Sequence, residues 1–259
     1  MTPILQKSLP HIVWTDPRLS RLPGILPVQG DDWLRVDDAF AGQMAERDRL
    51  IANDPDAVHA MLERARPAAD ELMARVLEKL NTTEGYRVGQ QSVLRPDGIE
   101  VALDRALPLL TLGRLVQEDL CLMQQEGDEH VLTGAVLCFP ASWSLHEKLG
   151  RRLLGIHRRV PHYTEDVAKR VQRLFETIRP EQPLWRMNAL VYADPTLHQP
   201  CNESDPRIDR TEGRYLRSER QCLLRLPQSN AVLFAIHTYI VLVEDLPVDA
   251  RAAMATAPL

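Results

Sequence analysis

Apolar positions recur along this chain in two different periods, and the change from one to the other divides it. Residues 1–37 follow neither period. In "HIVWTDPRLSRLPGILPVQGDDWLRVDD" short apolar pieces alternate with turn residues, which predicts an extended segment lying across the main body. From Ala39 the spacing becomes helical. Asp54 and Pro55 form a cap and a first-turn proline, and Val58, Met61, Leu62 and Ala65 repeat at helical intervals. Leu72, Met73, Val76, Leu77 and Leu80 repeat in the same way. Pro67 is expected to break this stretch into two helices, and Asn81 to close the second.

After residue 83 the pattern turns to strands. "DLCLMQQEGDEHVLTGAVLCFP" predicts a hairpin turning around Gly127. "SLHEKLGRRLL" predicts a short helix capped by Ser144, with Glu147 completing a capping box. "TEDVAKRVQRLFETI" predicts a longer amphipathic helix capped by Thr164, with a buried stripe of Val167, Val171, Leu174, Phe175 and Ile178. Three further strands are expected in "LWRMNALVYA", "ERQCLLRLP" and "AVLFAIHTYIVLV". Residues 194–214 between the first two read as a long loop, a length often tied to function. The tail after Pro247 reads as a short terminal helix or as disordered chain. The expected class is α+β: a helical N-terminal region, an antiparallel sheet of about five strands, and helices inserted between them.

Composition narrows the function classes. The chain has 259 residues, 44% hydrophobic and 26% charged, with a net charge of -5, so no global attraction to nucleic acid is expected. The four cysteines, Cys121, Cys138, Cys201 and Cys222, form no CxxC pair; three of them sit in apolar strand-like runs as small core residues. No signal peptide and no membrane-spanning run is read, and a cytoplasmic protein with reduced thiols is expected. The absence of GxGxxG and GxxxxGK[ST] loops sets aside Rossmann and P-loop nucleotide binding.

Three stretches carry candidate chemistry. "GIHRRVPHY" holds His157 and His162, five residues apart and separated by Pro161, so they cannot share a helical face. By itself His157 reads as a solvated or hydrogen-bonded loop residue, or as a metal ligand. His59 and His146 lie in helical segments and read as surface residues. "RYLRSERQCLLRLP" places Arg214, Arg217, Arg220 and Arg225 close together. Strand alternation puts Arg217, Glu219 and Gln221 on one face and Ser218, Arg220 and Cys222 on the other. Guanidiniums suit carboxylates, either within a structural ion pair with Glu219 or on a bound anionic cofactor. In "PLWRMNALVYADP", Arg186 and Asn188 alternate with Trp185, Met187 and Ala189, which marks either a lined pocket or the solvated face of an edge strand. The neighbouring carboxylates Glu118 and Asp119 are noted, but nothing in the sequence fixes their geometry.

At these residues the sequence resembles the haem-dependent oxidative N-demethylases, a bacterial family once known only as a domain of unknown function. The matching pieces are "DDWLRVDDAF", "VQEDLCLM", "LCFPASWSLHEKLGRRLLGIHRRVPHY", "WRMNAL" and "RSERQCLLRLPQSNAVLFAIHTY". The series Trp143, Lys148, Gly150, Ile156, His157, Val160, Pro161 and the ERQ…RLP strand are the specific parts.

The resemblance implies a haem b protein on a PAS-like sheet. It also implies oxidation of a small secondary amine such as dimethylamine with release of formaldehyde, and exchange of electrons with a separate flavin and iron–sulfur reductase. It makes His157 the expected axial iron ligand, with His162 the local rival. Arg217, Arg220 and Arg225 become candidates for the haem propionates, and Arg186, Asn188 and Glu219 candidates for catalytic roles in the distal pocket. The haem-binding core is expected over residues 84–246, with 1–83 packed on it and 247–259 as a tail. Two positions depart from the family pattern: Ala189 stands where a bulky aromatic is expected, and His237 where arginine is commoner. The same resemblance accommodates a haem-based gas or redox sensor, or a binding subunit that has lost haem.

Overall fold

The structure, a computed structural model, describes residues 2–20, 24–156, 165–206 and 213–254. In chain order the elements are β1 (Leu26–Pro27), α1 (Phe40–Asn53), α2 (Pro55–Val58), β2 (His59–Met61), α3 (Arg66–Leu80), β3 (Arg87–Val88), β4 (Ser92–Leu94), β5 (Glu100–Ala102), α4 (Pro108–Gly113), β6 (Asp119–Glu126), β7 (Glu129–Val136), α5 (Leu145–Lys148), α6 (Leu153–Ile156), α7 (Glu165–Thr177), β8 (Leu184–Tyr192), β9 (Tyr215–Arg225), β10 (Val232–Leu242) and α8 (Val248–Met254). The α+β class stands. The main sheet is antiparallel, in the order β1-β8-β9-β10-β6-β7-β2, and a separate small sheet joins β3, β4 and β5. The expected strands β6 to β10 form its body; the short β1 and β2 are the two edges. Among the described residues no helix is long and apolar enough to cross a membrane.

Strand alternation sends side chains to two distinct layers. Toward α5, α6 and α7 point Cys121, Met123, Ala135, Leu223, Val232 and Ile236, which cluster with Leu145, Leu153, Phe175 and Ile178. We call this the α7 face. Toward α1, α3, α4 and the N-terminal segment point Leu120, Leu122, Val136, Cys222, Leu224, Leu233 and Ala235, which pack with Leu72, Val76, Leu109 and Leu112. Gly113, at the end of α4, lets helix and sheet approach closely, because a methyl group there would lie 2.5 Å from Val136 Cγ2.

Several local expectations hold. Asp54 accepts a hydrogen bond from the Ala57 N–H at 3.2 Å, with Pro55 in the first turn of α2. Asn81 closes α3, Gly127 turns the β6–β7 hairpin at φ 67°, and residues 248–254 form a helix.

Others are corrected. The break in the N-terminal helical region does not fall at Pro67, which sits in the first turn of α3. It falls at His59–Met61, which leave the helix to pair with Val136, Ala135 and Gly134. An unpaired edge of β7 outweighs helical spacing there. His59 is therefore a half-buried strand residue, whereas His146 is an exposed one on α5. Ser144 precedes α5 without a side-chain cap, and Glu147 Oε2, instead of closing a capping box, accepts from the Glu203 N–H at 2.9 Å. The Thr164 cap lies outside the described residues.

β10 runs past the start of β6: pairing between them stops at Ile236 and Asp119. Beyond it, side-chain amides finish the edge. Gln43 Nε2 and Gln6 Nε2 donate to the Thr238 carbonyl at 2.9 and 3.2 Å. Gln6 also pairs with Ile240 as a one-residue strand: its N–H donates to the Ile240 carbonyl at 2.9 Å, and its Oε1 accepts from the Ile240 N–H at 2.8 Å. The backbone groups of a buried edge are thus satisfied without a neighbouring strand.

Candidate functional site

The α7 face changes character along the strands. Near α7 it is apolar, with Leu184 and Leu223 side by side and Phe234 next to them. One step along, Arg186 faces Gln221, which neighbours Ile236. The next step carries Asn188, Glu219 and Thr238, and the one after it Leu190, Arg217 and Ile240. A polar row thus crosses three adjacent strands beside the apolar cluster. The predicted partition of β9 holds, and Arg186 and Asn188 share the face of Glu219 while Trp185, Met187 and Ala189 enter the opposite core.

The row is hydrogen-bonded in series. Arg186 Nη1 donates to Gln221 Oε1 at 2.8 Å, and Gln221 Nε2 donates to Glu219 Oε2 at 3.1 Å. Asn188 Nδ2 donates to the same Glu219 oxygen at 3.3 Å, and Asn188 Oδ1 accepts from the Glu219 N–H at 3.0 Å. Glu219 Oε1 faces Arg217 Nε at 3.6 Å and accepts no hydrogen bond among the described residues. Its side chain is 13% exposed. Burial pushes the Arg186 guanidinium below its ordinary pKa, opposed by the charge of Glu219.

The arginines of β9 do not converge on one point. Arg217 is buried on the α7 face and donates to the carbonyls of Leu197 at 2.9 Å and Phe139 at 2.6 Å, with its guanidinium over the Tyr192 ring. Arg220 lies on the opposite face, where it donates to the Asp32 carbonyl at 2.5 Å and stacks on Trp185. Arg225 donates to the carbonyls of Phe175, Ile178 and Asn230, so it clamps the end of α7 to the sheet. Arg214 is exposed beside Glu244. His157 and His162 lie outside the described residues. Ile156, directly before His157, ends α6 and packs against the apolar cluster of the α7 face, as does Trp143.

On the opposite face sits a buried polar cluster that only its separate parts suggested. Of the neighbouring pair Glu118 and Asp119, the structure sends each to a different cation. Glu118 Oε1 lies 2.9 Å from His237 Nδ1, and Asp37 Oδ2 lies 3.0 Å from His237 Nε2. Asp119 instead takes Arg47 Nη1 at 2.7 Å. Burial opposes a charge on His237, but Glu118 and Asp37 outweigh it and raise its pKa to about 9. Asp37 is also opposed by burial, yet His237, Gln117 and Gln6 lower its pKa to about 2. An open groove of about 880 Å³ lies beside this cluster, lined by Gln6, Asp32, Arg35, Asp37 and Tyr239 among others. Of the carboxylates that line it, Asp32 and Asp37 are already taken by Arg35 and His237.

This cluster sets a pH dependence of stability. The raised pKa of His237 adds stability that is fully present below its unfolded value of 6.5 and is lost as pH rises through about 9. The lowered pKa of Asp37 adds stability present above 3.8 and lost as pH falls through about 2. His237→Gln is expected to cost about 2–3 kcal/mol at pH 6, less than stripping a buried pair because one hydrogen bond can persist. It should also flatten the decline between pH 6.5 and 9. Urea unfolding at pH 6 and 9.5 checks this; equal losses in both proteins across that range would rule the assignment out.

Among the described residues no group of three histidine, cysteine or carboxylate side chains is arranged around a metal ion. A porphyrin iron, however, takes only axial ligands from protein. A family model described as haem-dependent oxidative N-demethylase, alpha subunit-like, matches residues 24–257, and the chain belongs to that family.

Proposed function

We propose that the chain binds haem b and oxidatively demethylates a small secondary amine such as dimethylamine, releasing formaldehyde and exchanging electrons with a separate flavin and iron–sulfur reductase. The observation that carries this reading is the polar row of Arg186, Gln221, Glu219 and Asn188, set beside the apolar cluster on the α7 face in a member of this family. The description of the family as alpha subunit-like supports further subunits. We take the haem-binding core as 84–246, PAS-like, with residues 1–83 packed on it, in a cytoplasmic protein.

Haem needs an axial ligand, apolar ground for its ring and polar or cationic partners for its carboxylates. The α7 face offers apolar residues next to Arg186 and Arg217. Thr238 Oγ1 and Arg217 Nε are buried there with no hydrogen-bond partner among the described residues. The residues present fit the group on these counts, and the resemblance around it makes His157 the residue that would ligate the iron. Haem, when bound, supplies the redox centre that accepts electrons from the N-methyl group.

The chain's own residues position the amine. Glu219 Oε1, with a lone pair to offer, holds the cationic nitrogen and takes its proton, so that the neutral amine is the species oxidised. Asn188 and Gln221 fix the other oxygen, and Arg217 Nε lies 3.6 Å from the first. Arg220 takes no part in this reading, since its guanidinium lies behind the sheet on Asp32. Arg225 is likewise held by the end of α7.

Protein expressed with ample haem is expected to show a Soret band, to lose it in His157→Ala, and to release formaldehyde from dimethylamine when supplied with an electron acceptor. A colourless wild-type protein sinks the reading. A Soret band without turnover of any methylated amine moves it to a sensor.

A further inference from the structure

We infer that Arg186 is a carboxylate-binding residue: the guanidinium on the α7 face whose charge the protein leaves uncompensated takes the carboxylate of a bound molecule. Among the described residues Arg186 makes one hydrogen bond, from Nη1 to the neutral amide of Gln221, and lies within 4.0 Å of no carboxylate. The other two amino positions of its fork are unengaged by described residues. Among the described residues Glu219 is the one charged group that acts on it, and both oxygens of Glu219 face other partners: the amides of Asn188 and Gln221, and Arg217.

The remaining arginines of the sheet differ in this respect. Arg217, Arg220 and Arg225 each give two or more nitrogens to fixed carbonyl or sulfur acceptors. Their positions are those of braces. The described row therefore carries two cations and one anion, and the surplus charge sits on Arg186, at the boundary between the apolar cluster and the polar row. A half-buried cation short of an anion is stabilised by a ligand that brings one, and a planar fork with two free donors suits a carboxylate.

Two sources present that chemistry at this place: a propionate of haem, or the carboxylate of an N-methylated amino acid whose nitrogen is held by Glu219. The second would extend the substrates beyond dimethylamine. Both rest on the proposed function, and two probes separate them.

The first is titration of the full-length protein with haem and with haem dimethyl ester, which lacks free carboxylates. The second is calorimetric titration with N-methylglycine and with dimethylamine. Each is run on wild type, Arg186→Gln and Arg186→Lys. A propionate contact predicts that wild type prefers haem over its ester by about tenfold or more, that Arg186→Gln loses this preference, and that Arg186→Lys restores part of it. A substrate contact predicts that Arg186→Gln weakens N-methylglycine by about tenfold or more beyond any change for dimethylamine. If Arg186→Gln, with an unchanged melting temperature, alters neither preference, the inference is overturned. Absence of a Soret band in wild type defeats the proposed function instead. The calorimetric arm still decides Arg186 in that case, because it needs no haem: no effect on N-methylglycine then overturns the inference.

Discussion

Arg47→Met is expected to lower folding stability by about 4 kcal/mol, the cost of removing one partner from a fully buried ion pair. Arg47 is 0% exposed and Asp119 is 1% exposed. The guanidinium donates to Asp119 Oδ1 at 2.7 Å and to the carbonyls of Gly113, Gln117 and Glu118 at 2.8, 3.1 and 2.9 Å. Methionine fills the stem's space but leaves three carbonyls and a carboxylate without that donor. Asp119 keeps the N–H groups of Cys138 and Phe139 at 2.7 and 2.9 Å, which limits the loss. The effect should reach the α7 face, because Phe139 has its ring under Arg47 and its carbonyl on Arg217. Urea unfolding of Arg47→Met, Asp119→Asn and the double variant gives the coupling energy; a coupling below about 1 kcal/mol would show that the two groups act independently.

Glu219→Gln is expected to lower kcat/KM for amine demethylation by about 10²–10⁴-fold, the usual range for a group that moves a proton in the reaction. Glutamine keeps an acceptor for Asn188 or Gln221, and Arg217 stays anchored on Leu197 and Phe139, so haem content and melting temperature should change little. Formaldehyde release, normalised to Soret absorbance, is the readout. Activity within threefold of wild type would remove Glu219 from the chemistry and leave it a structural partner of Arg217.

The alternation in β8 and β9 was legible because a strand has period two, and neither strand could shift by one residue without burying Arg186 and Glu219 in the core around Leu224. The β6–β7 hairpin was legible for the same reason. The grouping of Arg217, Arg220 and Arg225 into one anion site was an expectation the periodicity already strained. Alternation separates Arg220, and the reach to Phe175 and Ile178 that occupies Arg225 depends on where α7 ends. Likewise Glu147 and Glu203 are 56 residues apart, so a capping box written in four letters could not anticipate the competing backbone N–H. Glu118 and Asp119 are adjacent, yet a single step along the chain at the start of β6 sends one to His237 and the other to Arg47. Local rules identify the groups; which partner each meets is settled by the packing of α1 and the N-terminal segment.

The glutamine-finished edge of β10 has a bearing on the order of assembly. The central strand of the main sheet is the last strand in the sequence, and β6 and β9 meet only through it. On a ribosome the hairpin of β6 and β7 can form early, but nothing can join it to β8 and β9 until residues beyond 232 have emerged. Gln6 must then wait for Ile240, 234 positions further along the chain. Such a closure is entropically late, and it gains its enthalpy only once both segments are present. The segment around Gln6 thus acts as a late latch on the sheet, and the polar row on the α7 face acquires its fixed geometry only once β10 has been made.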